Sequence, residues 1–235
     1  MTTKQLLVRA AARNNAEWCA AMSRSHGLAS TFGAQAWTAP ARTPLYYPDA
    51  VTLVPGAELS AVAAGIDTTT PGASVKDSFA DLALVEAGFQ VLFEGQWIHR
   101  PASTSATASD LTWEVVGTRD KLRAWAHAWD DGDGNADLFR PELLDDPATF
   151  VLAGRSPDGA VVAGAVASRS DQVVGVSNVF ALNGGPDAAW PVVLDAVHSL
   201  FPTVPVVGYE HGDDLEAALG HGFEPVGPLR IWLHG

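Results

Sequence analysis

Residues 206–234 read VVGYEHGDDLEAALGHGFEPVGPLRIWLH, and this stretch decides the fold. Val204 to Glu210 is a β-like run, Asp214 to His221 places Leu215, Ala218 and Leu219 on one helical face, and Val226 to Leu233 is again β-like. Between helix and last strand stands Gly222-Phe223. A glycine there can take the left-handed conformation that ends a helix, while the following aromatic plugs the core. Ser74 to His99, SVKDSFADLALVEAGFQVLFEGQWIH, has the same order: strand, short amphipathic helix, Gly88-Phe89, strand, tryptophan. An internal repeat of the half-chain accounts for the pair, with chance similarity of two helix-to-strand corners as the rival reading.

Working outward, Leu111 to Val116 has β character, and Lys121 to Trp129 sets Leu122, Trp125, Ala126 and Trp129 on one helical stripe. Phe150 to Ala153, Ala160 to Ser168 and Gln172 to Ala181 are three β-like runs separated by Ser-Pro-Asp-Gly and Arg-Ser-Asp, which predicts an antiparallel meander. Pro186 to Phe201 then aligns Trp190, Val193, Leu194, Val197 and Phe201 along one face of a long helix. The order implies an α/β (α+β) fold: a mixed, mostly antiparallel twisted sheet, one parallel step at the long helix, and helices on both faces. In the first half, Asn14 to His26 reads as a helix, Pro48 to Pro55 as a strand and Ala57 to Ala64 as a short helix. PASTSATASD, Pro101 to Asp110, buries nothing and reads as a linker. The chain thus divides into 1–100, a linker 101–110 and 111–235.

Composition narrows the partners. With 14 Lys and Arg against 27 Asp and Glu the formal net charge is −13, so nucleic acid and anionic membrane surfaces are repelled. No apolar run approaches the roughly 20 residues that span a bilayer. Arg9 and Arg13 close off Leu6 to Val8 as a signal-peptide core, which places the protein in the cytoplasm. One cysteine, Cys19, forms no internal disulfide, and no Cys/His spacing suggests zinc.

The segment AALGHGFEPVG, taken with the element order, resembles the GNAT superfamily of acetyl-CoA-dependent N-acyltransferases. The resemblance covers Leu111 to Leu233; the first half looks like a shortened, degenerate copy, as in tandem acyltransferases. It implies transfer of an acyl group from acetyl-CoA to an amine of a small molecule or protein. The family pattern for the pyrophosphate loop is Arg/Gln-x-x-Gly-x-Gly/Ala, at the N-terminus of the long helix. Here the loop is Ala181-Leu182-Asn183-Gly184-Gly185-Pro186-Asp187: two glycines remain, the basic residue is missing, and Asp187 adds negative charge. By this resemblance Val179, Phe180, Asn183, Gly184 and Gly185 form the cofactor site. The tyrosine that many members use as general acid corresponds to Ala218, which leaves Tyr209 as the nearest phenol. Tyr209, Glu210 and His211 are therefore the catalytic candidates, with Glu210 or His211 as base, against readings as a solvated carboxylate and an exposed helix-start histidine. Ser177 and Asn178 are the candidates for binding the substrate, although alternating polar residues on a half-exposed strand need no function. The missing arginine and Ala218 support an alternative, a catalytically inactive GNAT-like binding or interaction module.

Asp131, Asp133, Asn135, Asp137, Leu138 and Glu142 occupy ligand positions of a calcium loop, but Ala136 stands where glycine is needed and Pro141 precedes Glu142, which favours a solvated acidic loop and no metal. Trp37 and Trp97, with Arg42, Tyr46 and Tyr47, could wall a pocket between the halves; two-domain packing explains them equally well.

Overall fold

The computed structural model describes residues 2–102 and 111–235; from residue 103 on, the linker read from the sequence lies outside them. The first half runs α1 (Thr3–Ser25), β1 (Thr31–Phe32), β2 (Ala36–Thr38), β3 (Ala50–Thr52), α2 (Leu59–Ala63), β4 (Ser74–Asp77) and β5 (Phe89–Arg100). The second runs β6 (Thr112–Val115), α3 (Arg119–Asp130), β7 (Thr149–Arg155), β8 (Val161–Arg169), β9 (Val174–Ala181), α4 (Gly185–Leu200), β10 (Val206–Glu210), α5 (Gly212–Gly220) and β11 (Glu224–His234). A 3₁₀ turn at Val85–Ala87 takes the place of the short helix expected before Gly88.

All the described strands form one sheet in the order β1-β2-β3-β4-β11-β5-β10-β9-β8-β7-β6. β3 and β4 are parallel, as are β9 and β10, and the other neighbours are antiparallel. Around the central β5/β11 pair the arrangement repeats: β11 lies between β4 and β5, and β5 lies between β11 and β10. Apart from β6 and the 3₁₀ turns at Ala136–Leu138 and Pro141–Asp145, each half has the same sequence of elements, helix, three strands, helix, strand, short helical segment, strand. Gly88 and Gly222 both have φ of 85°, and Phe89 and Phe223 after them are buried. The two glycine corners thus do the same mechanical work.

Alternation along the strands sends side chains to two cores. Val151 and Ala153 join Trp18, Trp37 and Trp125 under α1 and α3, while Leu152, Ala165 and Ala167 meet Trp190, Val193 and Val197 of α4. Trp190 is packed at 4.8 Å from the Phe223 ring, so the long apolar stripe faces the sheet as its spacing predicts.

Two readings change. Helix α1 starts at Thr3, not Asn14, because Thr2 and Gln5 form a reciprocal capping box and Val8, Ala11 and Ala12 bury against Trp97, Leu229 and Ile231. Trp37 belongs to a strand, β2, and is fully buried, so it walls no pocket. Arg42 does line a cavity with Tyr46 and Tyr47, and it also pairs with Asp49 at 2.5 Å and donates to the Asp67 carbonyl, tying the loop before β3.

Candidate active site

The parallel pairing of β9 with β10 is short, Val174 with Val206 and Gly175 with Val207, and beyond it the strands separate. The β8/β9 register supplies the cause. It jumps between Gly164↔Phe180 and Val166↔Ser177, so Asn178 and Val179 oppose a single residue of β8. This bulge bends β9 away, and Asn178 takes φ of 53°, left-handed for a non-glycine residue. Bulges recur beside active sites because they redirect a strand end.

A cavity of about 230 Å³ opens at the separation, roofed by α1. Of the sequence-predicted residues it brings together Ser177, Asn178, Tyr209, Glu210 and His211. Tyr46, Tyr47 and Trp97 also line it, as the sequence suggested for a pocket between the halves. Other walls were missed, among them Asn15, Trp18 and Cys19 from α1 and Lys76 from β4.

The chemistry of the cavity is set by burial. The Glu210 carboxyl is pushed up to about 8, first by burial and then by Asp214, with Lys76 opposing. It therefore exchanges its proton close to neutral pH, as a general base must. Burial pushes the Cys19 thiol up to about 11, so it is not a thiolate nucleophile at neutral pH. Burial likewise drives the Tyr47 phenol well above its ordinary range. Lys76 is 2% exposed; its ammonium donates to Asn15 Oδ1 at 2.7 Å and lies 3.8 Å above the Tyr209 ring. The edge of that ring meets Trp97 at 5.7 Å, so Tyr209 is held from two sides. His211 is exposed, stacked at 4.5 Å on Phe93.

The predicted cofactor residues sit apart from this cavity, further along β9. Val179 packs on the α4 core and the Phe180 ring packs 5.5 Å from Trp125, so both half-buried side chains serve packing. Asn183, Gly184 and Gly185 are exposed at the start of α4, where Gly184 (φ 90°) and Gly185 (φ 64°) are left-handed and no side chain caps the helix. Backbone N–H groups are thus presented there without a basic side chain. Asp187 is exposed and 3.6 Å from His221. Ala218 is fully buried beside Phe223, so this position offers no proton donor.

The acidic loop after α3 is ordered by a different residue: Asp130 accepts from the Gly134 and Asn135 amides. Among the described residues no group of three His, Cys, Asp or Glu converges on a metal site. Nor is any of their helices long and apolar enough to cross a membrane.

The chain is similar in structure to a GCN5-related N-acetyltransferase from Kribbella flavida, with a TM-score of 0.61, 17% identity and 95% of each chain covered. It is similar to an acetyltransferase assigned to the GNAT family from Novosphingobium aromaticivorans, with a TM-score of 0.58, 13% identity, and 93% of this chain and 96% of that one covered. A third likeness, to Saccharomyces cerevisiae N-myristoyltransferase, has a TM-score of 0.50 at 8% identity and covers 69% of this chain and 52% of the other. No protein-family model matches the sequence, and no curated protein does. The fold is the GNAT fold.

Proposed function

We propose that the chain is an N-acyltransferase that moves an acyl group from acyl-CoA to an amine bound in the cavity between β9 and β10, and that it is built as a degenerate tandem of two GNAT-like halves, 1–100 and 111–235. The observation that carries the reading is the meeting, at one strand separation, of a carboxyl titrating at about 8 with Tyr209, Ser177 and Asn178. A protonated amine cannot attack an acyl group, so a residue must first take its proton.

Glu210, once ionised, takes that proton. The freed lone pair then forms the C–N bond as the acyl C–S bond breaks; Tyr209 gives a proton to the leaving sulfur and is reprotonated by the second proton that the new amide nitrogen sheds, while Glu210 releases the first to solvent. Ser177 and Asn178 orient the acceptor. The backbone of Val179 and Phe180 and the amides at Asn183, Gly184 and Gly185 would hold acetyl-CoA along β9 and the start of α4. Bound there, the cofactor supplies an activated thioester. The absence of a cationic side chain in the loop makes that hold weak, since a charge-assisted contact contributes about 1.5–3 kcal/mol. His211, exposed beside Gly212, borders the acceptor site. An acidic protein of this charge acts on small or protein amines and leaves nucleic acid and membranes alone, consistent with the cytoplasm.

Release of thiol from acetyl-CoA in the presence of a panel of amines tests the reading. We expect a rate that rises with pH through about 8 and loses this limb in Glu210→Gln. Absence of thiol release with every amine, in protein that binds the same amines, would instead favour an inactive binding module.

A further inference from the structure

Lys76 is not explained by acyl transfer as such. A buried ammonium is costly unless it is paired. Among the described residues Lys76 enters no ion pair; its partners are one amide oxygen and one aromatic face, which leave part of its three-donor capacity directed at the cavity it lines. The topology accounts for its position. Lys76 pairs in register with Ile231 on β11, and Tyr209 pairs with Trp97 on β5. Trp97 and Ile231 are themselves related across the central strand pair, facing Gly227 and Phe93 respectively. Lys76 is therefore the first half's counterpart of Tyr209, and the two side chains meet over one cavity.

A second, open cavity of about 540 Å³ shares Lys76 with the first, and Ile231 and Leu233 line it with the exposed Leu45 and Leu92. Lys76, Tyr47 and Tyr209 border both spaces. In sequence across the junction the molecule thus offers a carboxylate, Glu210, a buried cation, Lys76, and an apolar chamber.

We infer that the acceptor is an apolar α-amino acid, its amino group at Glu210, its carboxylate on the Lys76 ammonium, and its side chain in the chamber lined by Leu45, Leu92, Ile231 and Leu233. The inference rests on the acyltransfer reading for its amine and adds the acid and the apolar group. A bare amine would leave the Lys76 ammonium with no carboxylate in contact, only Asn15, the Tyr209 ring and the charge of Glu210, and a bare acid would bring no ammonium to Glu210.

Binding of L-leucine, leucinamide and isoamylamine to the full chain, followed by calorimetry without acetyl-CoA, tests it directly. Leucine should bind at least tenfold more tightly than either analogue lacking the carboxylate. The Lys76→Met variant, checked by near-UV circular dichroism, should abolish the preference while Lys76→Arg retains part of it. Equal binding of leucine and isoamylamine by the wild type overturns the inference without any variant, and so does a preference that survives in folded Lys76→Met. Thiol release separates the two levels. Leucine binding that depends on Lys76 with no transfer upholds the amino-acid site and sinks the acyltransferase, whereas transfer to isoamylamine as fast as to leucine keeps the acyltransferase and overturns the amino-acid site.

Discussion

Replacing Glu210 by Gln leaves the shape of the cavity and removes one titration. In the fold the carboxyl holds its proton to about pH 8, against an ordinary 4.5 for the same group in the unfolded chain. Between those values the folded chain carries a proton that the unfolded chain has released, so this group's contribution is fully present below pH 4.5 and is lost as pH rises through 8. At 1.36 kcal/mol per pH unit, ionising a sealed Glu210 would cost about 5 kcal/mol. Its side chain is only partly buried, which reduces the loss to about 2–3 kcal/mol. Urea unfolding of both proteins at pH 5 and pH 8.5 measures it. The difference between Glu210→Gln and wild type should grow by about 2–3 kcal/mol toward the higher pH. His99 and His198, whose pKa values burial lowers, destabilise both proteins alike as pH falls through 6.5 and so cancel in the difference. Parallel stability curves would refute the placing of Glu210 in a desolvated cavity.

Trp190→Ala should cost about 3–5 kcal/mol in chemical denaturation, because it empties the contact of α4 with the sheet and with Phe223. Gly164→Ala should cost about 1–3 kcal/mol, since a Cβ there would stand 2.3 Å from Trp125 Nε1 and 2.6 Å from Phe180 Cε1, at the strand next to the bulge; a variant as stable as wild type would show that this packing is loose. Millimolar calcium should leave the melting temperature unchanged, and a chelator-reversible rise lost in Asp131→Ala would contradict the assignment of that loop.

Most of the fold was legible because its strongest signals are local. The stripe from Trp190 to Phe201 and the paired corners Gly88-Phe89 and Gly222-Phe223 each specify an element from neighbours in sequence. What escaped depends on distant partners. Thr31–Phe32 and Ala36–Thr38 are too short for a period, and only pairing makes them strands. The start of α1 hides its stripe in alanines, which bury well but signal weakly. In the site, Tyr209-Glu210-His211 could be named because it ends a strand beside Gly212, and Ser177-Asn178 because they are the polar residues of the strand expected to splay from Val206 to Tyr209. Lys76 could not, since SVKD reads as an ordinary strand with a polar residue until β4 is set across the central pair from β10. The equivalence of Ser74–His99 and Val206–His234 was the one signal that could have found it.

Calorimetric titration with acetyl-CoA, repeated on Gly184→Val, tests most directly whether the gap between β9 and the start of α4 takes acyl-CoA. Gly184 has φ of 90°, and a Cβ there would lie 2.7 Å from the Ala188 Cβ, so valine disturbs the amides at the helix start. High-micromolar binding is expected, some tenfold to a hundredfold weaker than at an otherwise equal site with the loop arginine, and at least tenfold weaker again in the variant. No heat at millimolar acetyl-CoA, or binding unchanged by Gly184→Val, would contradict it.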